Sequence, residues 1–112
     1  MFEEEAVREF YDWERNFTRV RMRLQTVERR LEDAVVKNNA SEQPRWTCIA
    51  LRQIKWYHSL LKTYTLWRTA YGFLADENTL QNTRQECENT IENIDCIVES
   101  LTIGLRYRDK KA

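Results

Sequence analysis

Between residues 10 and 34 apolar side chains recur as Phe10, Trp13, Phe17, Val20, Leu24, Val27, Leu31 and Ala34, three and four apart without a miss. Only a helix gathers such positions into one stripe, and the 3.5-residue repeat is the seam of coiled-coil-like packing. One helix cannot bury that stripe by itself, so the chain must supply helical neighbours. Phe2 and Ala6 continue the face toward the N-terminus, and Glu3, Glu4 and Glu5 suit the positive end of the helix dipole. Asn38, Asn39 and Ala40 end this first helix.

A short loop follows, with Ser41 or Gln43 as the expected cap of a second helix and Pro44 in its first turn, where a missing N–H does no harm. Trp46, Ala50, Tyr57, Leu60, Tyr64, Trp67, Tyr71 and Leu74 keep heptad spacing, with Gln53 as the polar member. Ile49, Ile54, Trp56 and Leu61 widen the stripe to an arc of roughly 160° at 100° per residue. That breadth predicts contact with two neighbours, which makes the second helix the middle one.

Gly72 weakens its last turn, and Asp76 or Asn78 opens a third helix, where Asn78-Thr79-Leu80-Gln81 resembles a capping box. Leu80, Cys87, Ile91, Ile94, Val98, Leu101 and Leu105 form its seam. Arg84 falls on the seam and is expected to be paired or near an end. Helices are thus predicted at about 3–37, 44–75 and 78–103, and short connections make neighbours antiparallel. The expected fold is all-α: an elongated antiparallel three-helix bundle in a single domain, 1–105, followed by a basic flexible tail, 106–112. Two glycines and one proline in 112 residues agree with long helices, and 12% aromatic content supplies too much apolar surface for a disordered chain.

No uninterrupted apolar stretch reaches the length of a membrane span. MFEEEAVREF lacks the basic start and apolar run of a signal peptide, so an intracellular, cytoplasmic location is expected. Asn16-Phe17-Thr18 and Asn39-Ala40-Ser41 match the glycosylation pattern, which is irrelevant there. Of Cys48, Cys87 and Cys96, the last two would stand roughly 13 Å apart along one helix, too far to bridge. All three are expected to be buried thiols.

Formal net charge is zero, yet the charge is segregated. Residues 44–75 hold five cations and no acid, whereas residues 76–105 hold seven acids and Arg84 alone. Attraction between the second and third helices accounts for part of this, and Arg68, inside the apolar arc, needs a partner such as Glu86 or Glu88 or a position at the bundle mouth. Arg45, Arg52, Lys55 and Lys62 instead fall on the outward arc of the second helix, together with Leu51, Leu66 and Phe73. On the first helix Arg8, Arg15, Arg19, Arg23, Arg30 and Lys37 project away from the seam, with Glu5, Asp12 and Asp33 among them. A solvated charged surface is the plainest reading. If the two helices lie side by side, however, two basic stripes run down one flank and the acidic third helix forms the other, which suits a functional basic flank or self-association of acidic flank onto basic flank.

Catalytic and metal-binding patterns are absent from the sequence. No Glu-x-x-His, CxxC or HxxxH occurs and no glycine-rich phosphate loop. His58 borders the apolar arc and is expected to be partly buried and structural. Ser59 follows it, but adjacent helical positions diverge by about 100° and form no nucleophile–base pair. Glu88, Glu92, Asp95 and Glu99 make an acidic face that ordinarily stays in water. A non-enzymatic protein without cofactor or metal is therefore expected.

Three function classes fit. The first is a small interaction protein, of the kind viruses and phages encode as inhibitors, that docks an acidic partner. Arg45, Arg52, Lys55, Lys62, Arg15, Arg19 and Arg23 would make the contact, and Leu51, Leu66 and Phe73 would bury themselves in a dimer. The second is nucleic-acid binding, in which outward cations lie along duplex RNA and read its shape; thirteen of the eighteen cations are arginine, and zero net charge counts against it. The third rests on a resemblance. Arg45-Trp46-x-x-Ile49-Ala50-x-x-x-Ile54, followed by Leu61, resembles the second helix of the hairpin in phage anti-CBASS cyclic-nucleotide sponges, small all-helical oligomers without catalytic role. It implies sequestration of a signalling nucleotide, with Arg45 and Arg52 beside Trp46 or Tyr11 as phosphate and base contacts. Tyr57 stands where that family has glycine, and the long third helix is additional.

Overall fold

The computed structural model describes residues 2–71 and 76–111, and the side chains of residues 4–71 and 76–102. Three helices, α1 (Phe2–Val36), α2 (Glu42–Tyr71) and α3 (Glu77–Lys111), pack as a bundle. Every member of the α1 seam, Phe10 through Ala34, is buried. Each points inward because the heptad repeat keeps it there for the full length of the packing.

Contacts run in opposite sequence order along α1 and α2: Phe10 meets Tyr71, Phe17 meets Tyr57, and the Gln43 amide donates to the Ala34 carbonyl at 3.2 Å. They run in the same order along α1 and α3, where Arg21 meets Glu86 and Glu28 meets Asn93. At that offset α1 overhangs the start of α3, and α3 overhangs the end of α1. A 35-residue helix is only about 50 Å long, so the stagger accounts for the longest dimension, 65 × 20 × 20 Å.

The central helix is α1, which corrects the expectation that α2 is the middle one. Both α2 and α3 pack along α1, while α2 and α3 meet each other only sparsely. The broad arc of α2 is aromatic, and Trp46, Trp56 and Trp67 stay partly exposed at its edge instead of reaching a second helix. Only Ala50, Tyr57 and Tyr64 of α2 are buried. An aromatic layer forms where the seams cross: Trp13 stacks on Phe17 at 5.0 Å, and its indole N–H donates to the Leu60 carbonyl at 3.0 Å. On α3, Thr83 and Thr90 complete the core, their hydroxyls satisfied by the carbonyls of Thr79 and Glu86 one turn back.

Helix ends show how local chemistry stops the chain. Asn38 takes φ 51°, the left-handed region that asparagine tolerates. The amides of Asn39 and Asn38 then close on the carbonyls of Ala34 and Val35, a Schellman-type end. Neither the Ser41 hydroxyl nor the Gln43 side chain caps α2. Asn39 Oδ1 accepts from the Ser41 and Glu42 amides instead, because the turn carries its carboxamide over the helix start. Of the two candidates for α3, Asp76 is the cap: its carboxylate accepts from the Thr79 hydroxyl and from the Thr79 and Asn78 amides, which holds its pKa below the usual value. The backbone of α3 stays helical through Lys111, beyond the expected end at 103. Gly104 weakens a helix by about 1 kcal/mol, and no proline follows to stop it. The expected end of α2 at 75 lies outside the described residues.

Candidate functional site

The first two helices enclose the most distinctive surface of the molecule. Shallow depressions follow one another along α1, and the second and the last of them also reach α2. Tyr11, Glu14, Arg15, Thr18, Arg19 and Met22, all of α1, line the first, about 480 Å³. Arg19, Met22, Arg23, Thr26 and Val27 line the next with Ile49 and Gln53 of α2, about 560 Å³. Thr26, Arg29, Arg30 and Asp33 continue it toward the turn, where Arg30 and Trp46 border a last hollow of about 450 Å³. Neighbouring depressions share residues, so together they form one trough of about 40 Å at 1.5 Å per residue.

Helical spacing makes this trough basic. Arg15, Arg19 and Arg23 follow at intervals of four, and Arg30 comes seven further on, so all face the same flank of α1. Tryptophans of α2 support two of them: the Arg23 guanidinium lies 5.1 Å from the Trp56 ring centre, and Arg30 lies 5.9 Å from that of Trp46. Such stacking contributes about 0.5–1 kcal/mol at exposed sites and leaves the N–H edge of each guanidinium free to donate outward. Among the described residues Arg19, Arg23, Arg29, Arg30 and Arg52 have no carboxylate within 4.0 Å, unlike Arg15, which reaches Asp12 at 3.8 Å.

The hollow at the turn differs. Glu42 accepts from the Trp46 indole at 2.7 Å and pairs with Arg45 at 3.5 Å, while Asp33 pairs with Lys37 at 3.2 Å. Its cations are largely neutralised from within. The middle of the trough, around Arg19 and Arg23, is therefore where an anion meets the strongest field.

The candidate residues divide accordingly. Arg15, Arg19 and Arg23 line the trough, Arg45 lines the hollow at the turn, and Arg52 lies one helical turn before Trp56, about 40° round α2 from it. Lys55 and Lys62 are exposed but turn about 100° or more away from Trp56, onto the outward face with Leu51 and Leu66. Leu51 and Leu66 are 52% and 63% exposed. Phe73, the third self-association candidate, lies outside the described residues. Arg30 and the supporting Trp46 and Trp56 complete the site. Arg30 is legible as a member of the first-helix stripe, but its stacking depends on tertiary register.

Several other placements correct the sequence reading. His58 is exposed, its ring edge against Tyr57 at 5.4 Å, because its position turns outward beyond the α2 seam. Cys87 alone is buried; Cys48 and Cys96 are exposed on the outer faces of α2 and α3. Arg68 takes the expected place at the mouth of the bundle and pairs there with Glu77 at 2.9 Å, not with Glu86 or Glu88, since the short connection brings the start of α3 to the end of α2. Arg84 pairs with Glu88 at 3.2 Å and lies over the Tyr64 ring. Burial and the neighbouring Glu88 carboxylate push the Tyr57 phenol well above its ordinary pKa. On α3, Glu92, Asp95 and Glu99 are exposed without a cation within 4.0 Å among the described residues.

A scan against family models and searches of curated proteins and of solved structures return no match for this chain. No helix among the described residues is long and apolar enough to cross a membrane.

Proposed function

We propose that this is a non-enzymatic interaction protein whose α1–α2 trough docks an acidic protein surface. The carrying observation is the line Arg19, Arg23 and Arg30, joined by Arg52, none of which has a carboxylate within 4.0 Å among the described residues. Like charges at i,i+4 destabilise a helix by about 0.2–0.5 kcal/mol per pair. A partner's carboxylates offset that repulsion and take the outward N–H edges as bidentate acceptors.

The composition of the trough favours protein over nucleic acid. Tyr11 and Met22 stand exposed among the arginines, and tyrosine, methionine and arginine are the residues enriched where proteins meet proteins. Arginines already cover Trp46 and Trp56, so these rings are not open platforms for base stacking.

Fluorescence anisotropy with labelled poly-L-glutamate tests the reading, with a short RNA duplex as comparison. Wild-type protein is expected to bind poly-L-glutamate at low salt. The variant Arg19→Gln, Arg23→Gln, Arg52→Gln is expected to lose at least tenfold in affinity while its circular dichroism is unchanged. Equal binding by the variant refutes the trough as the docking surface. Tighter binding of the duplex than of the acidic polymer at equal salt transfers the site to nucleic acid.

A further inference from the structure

We infer that the acidic surface entering the trough is the α3 face of a second copy of this chain, so that the protein assembles head to tail. This rests on the trough being an acid-binding surface, and it adds the identity of the partner. Glu88, Glu92, Asp95 and Glu99 occupy one stripe of α3 at i, i+4, i+7 and i+11. Arg19, Arg23 and Arg30 occupy α1 at i, i+4 and i+11. Glu88 is held within its own chain by Arg84 and Tyr57, whereas Glu92 and Glu99 repeat the seven-residue spacing of Arg23 and Arg30, roughly 10 Å of helix, so these two pairs align when the two helices lie side by side.

A single copy cannot make this contact. Its α3 lies against the other flank of α1, held there by Arg21 with Glu86 and by Glu28 with Asn93, whereas the trough opens beside Trp56 and Trp46. Among the described residues each chain therefore carries a basic surface and an acidic one, Glu92, Asp95 and Glu99, without counter-charges within 4.0 Å, at a formal net charge of zero. Two different patches meeting make a heterologous contact, which leads to rings or open chains instead of a two-fold dimer. Leu51 and Leu66 lie outside it.

Sedimentation velocity provides the test. In about 20 mM salt, where exposed charges interact over more than 20 Å, wild-type protein is expected to sediment as species heavier than 13.6 kDa; in about 0.5 M salt it returns to the monomer. The trough variant Arg19→Gln, Arg23→Gln, Arg52→Gln and the acidic-face variant Glu92→Gln, Asp95→Asn, Glu99→Gln should each be monomeric at low salt. An equimolar mixture keeps one intact trough and one intact acidic face, so it should stop at a 1:1 complex. A wild-type monomer at low salt overturns the inference, as does an assembly that survives in both variants or a mixture that stays monomeric. Poly-L-glutamate binding separates the two conclusions. If the polymer binds through the trough while the protein stays monomeric, only the identity of the partner falls; if it does not bind through the trough, the docking surface itself falls.

Discussion

The three cysteines show how strongly position governs chemistry at the residue scale. Cys87 sits at the centre of the α3 seam with no exposed surface, and desolvation pushes its thiol up to about 12, the nearby Arg21 offsetting this only in part. Since the thiolate is the reactive form, burial and the raised pKa act in the same direction. Maleimide labelling of the native protein followed by mass spectrometry is expected to modify Cys48 and Cys96 rapidly and Cys87 only after denaturation. Rapid modification of Cys87 at neutral pH would show that the seam opens readily. Composition alone treats the three thiols alike; helical phase distinguishes them. Cys48 turns away from Ala50 and Tyr57, whereas Cys87 shares its phase with Leu80 and Ile94.

The helices were legible to very different degrees. In α1 the heptad positions from Phe10 to Ala34 define a single narrow stripe, and every one of them is buried. In α2 the apolar arc is broad, and breadth does not reveal whether a side chain is covered by a neighbouring helix or stands half-exposed beneath an arginine, as Trp46 and Trp56 do. Hence the choice of central helix was not readable from the stripe. Leu24→Ala, at a fully buried position of α1, is expected to destabilise the protein by about 2–5 kcal/mol in urea unfolding. Leu66→Ala, on the exposed face of α2, is expected to change stability by no more than about 0.5 kcal/mol. Comparable losses at both positions would contradict the hub role of α1 and the exposure of the α2 outer face.

For the whole molecule, the stagger between helices decides what the sequence leaves open. Arg68 finds Glu77 across the short α2–α3 connection, but Arg21 finds Glu86 because α3 is offset along α1, and no local pattern encodes that offset. The same holds for the site. The arginine stripe of α1 is visible as a helical repeat, but its separation from Lys55 and Lys62, and its support by tryptophans from α2, appear only once the helices are packed. Packing also converts a chain of zero net charge into a body with one basic trough and one acidic face. The most direct measurement is a nuclear magnetic resonance titration of the arginine Nε–H and tryptophan indole signals with poly-L-glutamate. Shifts concentrated at Arg19, Arg23, Arg30, Arg52 and Trp56 are expected. Uniform small shifts over all exposed arginines, or none in the trough, would contradict a docking site between α1 and α2.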